Sequence, residues 1–167
     1  MPKHTQENFG EYRMYNDLKL PFSAITEGPQ QTEELGRALA KMMSETSEFG
    51  FLAMYGDLGV GKTAFVRGFC SYFGECRVKS PTFSIVNEYR FDRTAVFHFD
   101  MYRITDDEDL YSTGFYEYFS RSGYMLCEWC ENIPFAVPED AYVLKIDKIS
   151  ARSPDMRSIT IEKRCAE

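Results

Sequence analysis

Short apolar runs alternate along the chain with apolar stripes of helical spacing. The run at 51–55, bounded by glycines, predicts a buried strand. A helix is predicted before this strand, from Thr32 as its N-cap through an apolar stripe that ends at Met43. A second helix is predicted after the strand, and Gly74 is its expected C-terminal cap. This succession of helix, strand, loop and helix is typical of an α/β domain.

Later apolar runs predict the rest of a sheet. Residues 83–89 and 95–99 have strand composition and are joined by a short turn, so an antiparallel hairpin is expected there. Acidic residues at 105–109 open a predicted helical region that Gly114 interrupts. Three further strands are predicted, at 123–127, 141–146 and 157–161. The pattern therefore predicts an α/β fold whose mostly parallel sheet contains an antiparallel hairpin.

The predicted elements belong to one domain. A chain of 167 residues can bury one hydrophobic core, and no internal repeat or linker divides it. Residues 1–23 carry scattered aromatic and charged side chains without a clear period, so we expect an irregular N-terminal extension with room for one strand near its end. The domain itself is expected over residues 24–167.

The loop after the strand at 51–55 carries the candidate chemistry. It fits the pattern G-x-x-x-x-G-K-[ST] of a phosphate-binding loop at every required position. The loop and the first residue after it are Gly56, Asp57, Leu58, Gly59, Val60, Gly61, Lys62, Thr63 and Ala64. Glycines let successive N–H groups turn toward phosphate oxygens, Lys62 supplies a charge for the β- and γ-phosphates, and the Thr63 hydroxyl can ligate Mg²⁺. The sequence predicts a protein that binds a nucleoside triphosphate.

A phosphate-binding loop also needs a carboxylate to fix Mg²⁺, normally at the end of a neighbouring strand. Asp100 follows the strand at 95–99, and Glu128 follows the strand at 123–127. Either residue could instead be a solvated acid at a strand end. Thr82, in the Ser-Pro-Thr-Phe segment, could sense the γ-phosphate or the attacking water, or could be an ordinary turn hydroxyl.

The composition narrows the possible functions. Hydrophobic residues make up 44% of the chain and charged residues 27%, which is ordinary for a soluble globular protein. The net charge of −7 argues against a free-standing nucleic-acid binder, which usually carries a basic face. No apolar run reaches the roughly 18 residues of a membrane span, and the N-terminus lacks the apolar core of a secretory signal. We therefore expect a cytoplasmic protein that does not enter the membrane.

The five cysteines do not suggest a disulfide framework, because their number is odd and the chain is expected in the cytoplasm. Cys127 and Cys130 form a C-x-x-C pair, which zinc sites and thioredoxin-like motifs also contain. A zinc site would need a second ligand pair, and a thioredoxin-like pair would open a helix. We interpret both cysteines as packing residues at the end of a strand.

Four motifs in order resemble the TsaE (YjeE) family. They are the loop 56–63, Ser-Pro-Thr-Phe at 80–83, His-x-Asp-x-Tyr-Arg at 98–103, and Glu-Trp at 128–129. The resemblance extends from about Thr32 to Arg157. The family consists of bacterial P-loop ATPases required to make threonylcarbamoyladenosine in tRNA. The resemblance therefore implies the fold of a P-loop NTPase, a three-layer sandwich.

The resemblance also implies roles for individual residues. Lys62 and Thr63 keep their phosphate and Mg²⁺ roles, and Thr82 becomes a switch residue. Asp100 and Glu128 become the carboxylates around metal and water. Three further residues match nucleotide-binding positions of the family: Thr32, Glu131 and Arg157.

Cofactors and partners follow from the same resemblance. The implied cofactors are ATP and Mg²⁺, and the implied partners are the proteins TsaD and TsaB, through which tRNA is reached indirectly. Trp129 is expected close to the site. This chain departs from the family at Cys130, where proline is usual, and in the extension 1–23, which has no counterpart.

Other functions remain open at this point. A small-molecule kinase shares the loop but usually has an arginine-bearing lid, and no arginine-rich segment is present. A GTPase switch would normally contain an Asn/Thr-Lys-x-Asp motif, which the chain lacks, so adenine is favoured. A nucleotide-gated interaction module with negligible catalysis is not distinguished from an ATPase by the sequence.

Overall fold

The computed structural model describes residues 15–165. Seven strands lie in this part of the chain: β1 (Phe22–Thr26), β2 (Phe49–Tyr55), β3 (Val86–Arg90), β4 (Ala95–Asp100), β5 (Gly123–Glu128), β6 (Tyr142–Ser150) and β7 (Ser153–Lys163). Three α-helices lie wholly within it: α1 (Pro29–Thr46), α2 (Lys62–Ser71) and α3 (Asp107–Ser112). Short 3₁₀ helices cover Phe115–Ser120, Cys130–Asn132 and Pro134–Ala136.

The seven described strands form one sheet in the order β1-β7-β6-β2-β5-β4-β3. β2 lies between β6 and β5 and is parallel to both, and β5 is parallel to β4. Both margins are antiparallel, since β3 pairs with β4 and β7 pairs with β6 and β1. The predicted α/β fold, with its parallel core and a hairpin at β3–β4, is confirmed.

The antiparallel hairpin of β6 and β7 goes beyond the sequence-based expectation. The apolar pattern predicts two closing strands but does not predict their pairing. Only residues 151–152 separate the two strands, and so short a connection can join only antiparallel neighbours. Strand β1 adds a further antiparallel edge through its pairing with β7.

The sheet separates two hydrophobic clusters, which gives the molecule three layers. Alternate side chains of a strand point to opposite faces, so Leu52 and Met54 pack in the cluster with α1 and α2. Phe51 and Ala53 pack in the other cluster, where aromatic rings such as Phe115 predominate. The predicted three-layer sandwich is confirmed.

Helix α1 begins earlier than the sequence pattern predicts. Its N-cap is Gly28 and its first residue is Pro29, so the predicted N-cap role of Thr32 is wrong. Proline suits the first helical turn because its φ is already helical and its missing N–H would have no partner there. Thr32 lies inside the helix with its side chain buried, and its hydroxyl is 3.0 Å from that of Thr26.

Other predicted boundaries are also wrong, among them the end of α2 and the start of β3. α2 ends at Ser71, and its C-cap is Tyr72, which has helical φ and ψ. Gly74 is therefore not the cap. β3 begins at Val86 rather than at residue 83. The Ile85 N–H donates to the Pro81 carbonyl at 2.8 Å, and Ile85 has a φ of 68°. This turn keeps the chain out of the sheet until Val86.

The predicted N-terminal extension meets the sheet at its end. β1 begins at Phe22, and Leu18 is buried in the cluster with α1. Residues 1–14 lie outside the described residues, and the division at residue 23 stays a prediction. Among residues 15–165, no helix is long and apolar enough to cross a membrane.

Helices α1 and α2 cross with their backbones in direct contact. A Cβ atom at Gly68 would overlap the backbone of Glu33, and one at Gly36 would overlap the backbone of Phe65. Beside the crossing, Arg67 forms an ion pair with the Glu33 carboxylate at 2.5 Å. The glycines therefore fix how closely α1 lies against the helix that follows the phosphate-binding loop.

Replacing Gly68 by alanine should destabilise the fold, because either helix must move to make room for one methyl group. We expect the free energy of unfolding to fall by about 2–3 kcal/mol, in the range of overpacked cores. Ser71→Ala, at an exposed position of the same helix, should change it by less than about 0.5 kcal/mol. Urea denaturation of both variants tests this, and equal stabilities would contradict the close crossing.

Edge strand β3 is tied to the 3₁₀ helix Phe115–Ser120 by a charged cluster. The Glu88 carboxylate accepts hydrogen bonds from both terminal nitrogens of Arg121, at 2.9 and 3.0 Å, and from the Tyr118 hydroxyl at 2.8 Å. These bonds, those of Arg121 foremost, lower the pKa of Glu88 from 4.5 to about 2. The charged form of the Glu88 carboxylate is therefore favoured more strongly in the folded chain than in the unfolded chain.

This lowered pKa makes the contribution of Glu88 depend on acidity. The stabilisation should be complete above the unfolded pKa and be lost as the pH falls from about 4.5 toward 2. Glu88→Gln should cost about 1 kcal/mol at pH 7, allowing for solvent screening of the half-exposed arginine, and progressively less below pH 4.5. Urea unfolding between pH 2 and 7 measures this, and Arg121→Met should remove most of the same pH-dependent part. A pH-independent difference would contradict the assignment.

Candidate nucleotide-binding site

The phosphate-binding loop connects the central strand β2 to α2. Its three glycines all have positive φ: 152° at Gly56, 75° at Gly59 and 114° at Gly61. Residues that have a side chain rarely adopt positive φ, so the backbone path of the loop requires glycine at these three positions. At Gly56 a Cβ atom would also lie 2.5 Å from the Ile146 carbonyl oxygen. The loop thus has the backbone that turns successive N–H groups toward an anion.

Lys62 is buried at the first residue of α2, with 5% of its surface exposed. Its ammonium donates to the Gly56 carbonyl and, at 3.5 Å, to the Asp57 carbonyl. It also lies 4.0 Å from Glu128 Oε2 and 4.3 Å from the centre of the Trp129 ring. These oxygens and the ring face keep the cation at the mouth of the loop, where phosphate oxygens would compete for it.

The two predicted carboxylates lie side by side. Asp100 and Glu128 are direct register partners at the ends of the parallel strands β4 and β5, and both are buried. Asp100 Oδ2 accepts a hydrogen bond from the Thr82 hydroxyl at 3.2 Å, and Oδ1 accepts one from the Tyr102 N–H at 2.9 Å. The Thr82 hydroxyl is in turn 2.7 Å from that of Ser80. The Ser-Pro-Thr-Phe segment is therefore connected to the acid of β4.

A small pocket lies between the start of α1, the phosphate-binding loop and β7. It is lined by Gly28, Pro29, Thr32, Val60, Gly61, Ala64, Asp155 and Arg157. The Arg157 guanidinium donates to the Val60 carbonyl at 2.6 Å and to two carbonyls of its own strand. Arg157 thus holds the loop backbone against the hairpin of β6 and β7.

The structure brings together most of the residues that the sequence singles out. Lys62, Glu128, Asp100 and Thr82 form one connected group, and Thr63 follows Lys62 in the first turn of α2. Thr32 and Arg157 line the pocket beside the loop. Glu131 is exposed in the 3₁₀ helix Cys130–Asn132 and does not line this pocket, so its nucleotide-binding role stays a prediction.

Several residues near the site received no individual role from the sequence-based reasoning. Thr26 and His98 are buried polar side chains that contact Thr32 and Glu128, respectively. Gly28, Pro29 and Asp155 line the pocket. For His98 the signal in the sequence was its place in the His-x-Asp-x-Tyr-Arg motif at 98–103, to which no individual role was given. The pocket joins segments that are distant along the chain, so no local pattern indicated Asp155.

The donor set has the chemistry that Mg²⁺ and phosphate groups require. Magnesium prefers hard oxygen ligands in small number, completed by water and substrate phosphates. The Thr63 hydroxyl and the carboxylates of Asp100 and Glu128 are such oxygens. The glycine backbone with positive φ and the start of the ten-residue helix α2 suit the phosphates.

Cys127 and Cys130 lie in the apolar core of the aromatic face, both fully buried. The Cys130 thiol donates to the Cys127 carbonyl at 3.1 Å, and burial raises the pKa of Cys127. A raised pKa disfavours the thiolate that zinc binding and thiol exchange require. This environment supports the packing interpretation.

A glycine loop that joins the central parallel strand to a helix, beside acids on two neighbouring strand ends, defines a P-loop NTPase fold. The family model described as "Threonylcarbamoyl adenosine biosynthesis protein TsaE" matches residues 26–158. The chain belongs to the TsaE family.

Individual relatives agree with this assignment. The chain is 37% identical over 138 residues to the tRNA threonylcarbamoyladenosine biosynthesis protein TsaE of Bacillus subtilis, covering 81% of each chain. The protein of the same name from Haemophilus influenzae is 35% identical over 116 residues, covering 69% of this chain and 72% of that one. The crystal structure of Bacillus subtilis YdiB is similar with a TM-score of 0.64 and 30% identity, covering 84% and 83% of the two chains.

Removing the lysine charge should weaken ATP binding. Lys62→Ala deletes the ammonium that is expected to face the β- and γ-phosphates, and charge-assisted contacts contribute about 1.5–3 kcal/mol. ATP affinity should therefore fall on the order of ten- to a hundredfold in an equilibrium titration. Lys145→Ala, at an exposed position of β6, should bind as the wild type does. Equal affinity of the Lys62 variant would exclude the loop as the phosphate site.

Proposed function

We propose that this chain is a Mg²⁺-dependent, ATP-binding and ATP-hydrolysing accessory protein of tRNA N6-threonylcarbamoyladenosine modification, acting on the TsaD–TsaB complex. The observation that carries the proposal is the group formed by Lys62, Glu128 and Asp100 at the mouth of the glycine loop. A buried cation beside two buried carboxylates suits a site where phosphate and metal charges must be balanced.

The phosphates of ATP would be held by the loop itself. Backbone N–H groups of the loop and the positive end of α2 attract the phosphate oxygens, and Lys62 adds a mobile charge. The nucleoside would extend from the loop into the pocket that Thr32 and Arg157 line. Arg157 serves this binding by fixing the Val60 carbonyl, so that the loop is held in one conformation.

Thr63 and Asp100 would hold Mg²⁺, with Glu128 beside it. When bound, Mg²⁺ supplies charge that stabilises the phosphates during transfer. Glu128 has one carboxylate oxygen directed at Lys62, and in the proposed reaction it orients the attacking water. The hydrogen bond from Thr82 to Asp100 connects the Ser-Pro-Thr-Phe segment to the site, so this segment can respond to the bound nucleotide.

The arrangement of arginines favours a partner-dependent ATPase. An arginine that reaches the γ-phosphate typically accounts for about 10³–10⁵ in rate. Arg103, which follows the β4 acid, packs its guanidinium over the exposed Phe83 ring at 5.2 Å. Arg157 is engaged with backbone carbonyls. We therefore expect the remaining stabilisation to come from the TsaD–TsaB complex.

The pathway is supported by the names of the relatives. The proteins of Bacillus subtilis and Haemophilus influenzae are both named for tRNA threonylcarbamoyladenosine biosynthesis. The net charge of −7 favours an indirect route to tRNA, because a direct binder would usually carry a basic face. The chain would thus act on the protein complex rather than on the nucleic acid.

Turnover with and without the partners tests the proposal. We expect slow ATP hydrolysis by the chain alone and at least a tenfold higher rate when TsaD and TsaB are added with Mg²⁺. Glu128→Gln should abolish most of this stimulated rate while ATP binding without metal changes little.

Two outcomes would contradict the proposal. A high rate that the partners do not change would favour a self-sufficient enzyme such as a small-molecule kinase. Normal stimulated turnover of Glu128→Gln would make Glu128 a structural acid. TsaD–TsaB without this chain provides the background rate.

A further inference from the structure

His98 is a buried histidine in the middle of β4 that the proposed reaction does not yet use. Its side chain is fully buried, and its Nε2 atom lies 2.7 Å from Glu128 Oε1. Because side chains alternate along a strand, His98 and Asp100 share the face of Val96, which packs in the cluster with α2. His98 therefore contacts Glu128 on the face of the sheet that packs against α2.

The chemistry of the contact assigns the tautomer. A carboxylate has no proton to donate, so the Nε2–H of His98 is the donor and Glu128 Oε1 the acceptor. The other ring nitrogen, Nδ1, is the buried side-chain atom of the described residues that has no hydrogen-bond partner. An orphaned buried polar atom costs free energy, which an apolar side chain of similar volume would avoid. Packing alone does not explain a histidine here.

We propose that His98 is a positioning residue for Glu128. Its Nε2–H holds Oε1, so that the second oxygen, Oε2, is directed toward Lys62, from which it is 4.0 Å away. This inference rests on the proposed function, in which Glu128 orients the attacking water. His98 fixes Oε1 in position and leaves Oε2 to perform that task. Outer partners that orient a functional carboxylate or ligand typically contribute about 10–100-fold in activity or affinity.

The surroundings hold the ring in place for this task. His98 is paired with Asn87 on β3 and with Leu126 on β5, so a strand lies on each side of it. The Tyr89 ring lies 6.5 Å from the imidazole, measured between ring centres. A donor that is fixed by two neighbouring strands can orient a carboxylate two residues further along β5.

Three substitutions separate positioning from packing. In His98→Gln the amide nitrogen can reach the place of Nε2, whereas in His98→Asn it reaches only the place of Nδ1. His98→Met fills the space without a donor. We expect kcat for ATP in the stimulated complex to stay within about threefold for Gln, and to fall about 10–100-fold for Asn and Met. The KM for ATP should stay near the wild-type value in all three variants.

A second measurement tests the contact without turnover. A double-mutant cycle compares the unfolding of His98→Met, Glu128→Met and the double variant with that of the wild type. We expect the two substitutions to be coupled by about tenfold in the unfolding equilibrium constant. Absence of coupling would overturn the proposal. If His98→Met does not fold, the Gln and Asn variants, each combined with Glu128→Met, provide the same comparison between two amides.

The outcomes distinguish this inference from the proposed function. Wild-type turnover with equal kcat for Gln, Asn and Met would overturn the positioning role and leave the ATPase proposal standing. A parallel rise in KM would show that His98 merely supports the shape of the nucleotide site, which also overturns it. A wild-type chain without stimulated turnover would overturn the proposed function, and the cycle would still decide whether His98 holds Glu128.

Discussion

The arrangement of the site depends on a buried cation. An ammonium group taken out of water is costly unless oxygens or a carboxylate surround it, and Lys62 has both. Its partners come from the loop itself and from the end of β5, so the lysine can be buried only when β2 and β5 are neighbours in the observed register. The face of Trp129 completes the enclosure.

The same register brings the two acids together. Asp100 and Glu128 would repel each other if both were buried without partners. Each carboxylate instead accepts hydrogen bonds from groups on its own side, Asp100 from Thr82 and Tyr102 and Glu128 from His98. The two acids therefore have different hydrogen-bond partners although their strands are adjacent.

Close helix packing connects this charge arrangement to the rest of the fold. The contact of α1 with α2 at two glycines places the start of α1 beside the phosphate-binding loop. Thr32 consequently reaches the pocket from a helix that precedes the loop in sequence. Arg157 reaches the same loop from β7. The loop is therefore held by elements from both ends of the domain.

The sequence by itself determined the phosphate-binding loop, the α/β class and the strand-end positions of Asp100 and Glu128. These features depend on local rules, since glycine spacing dictates positive φ and apolar runs dictate buried strands. Only the tertiary structure decided that the two acids are neighbours, that Arg157 binds the Val60 carbonyl, and that His98 contacts Glu128. Those contacts depend on strand order and register, which the packing of the whole sheet sets, and no local pattern along the chain encodes them.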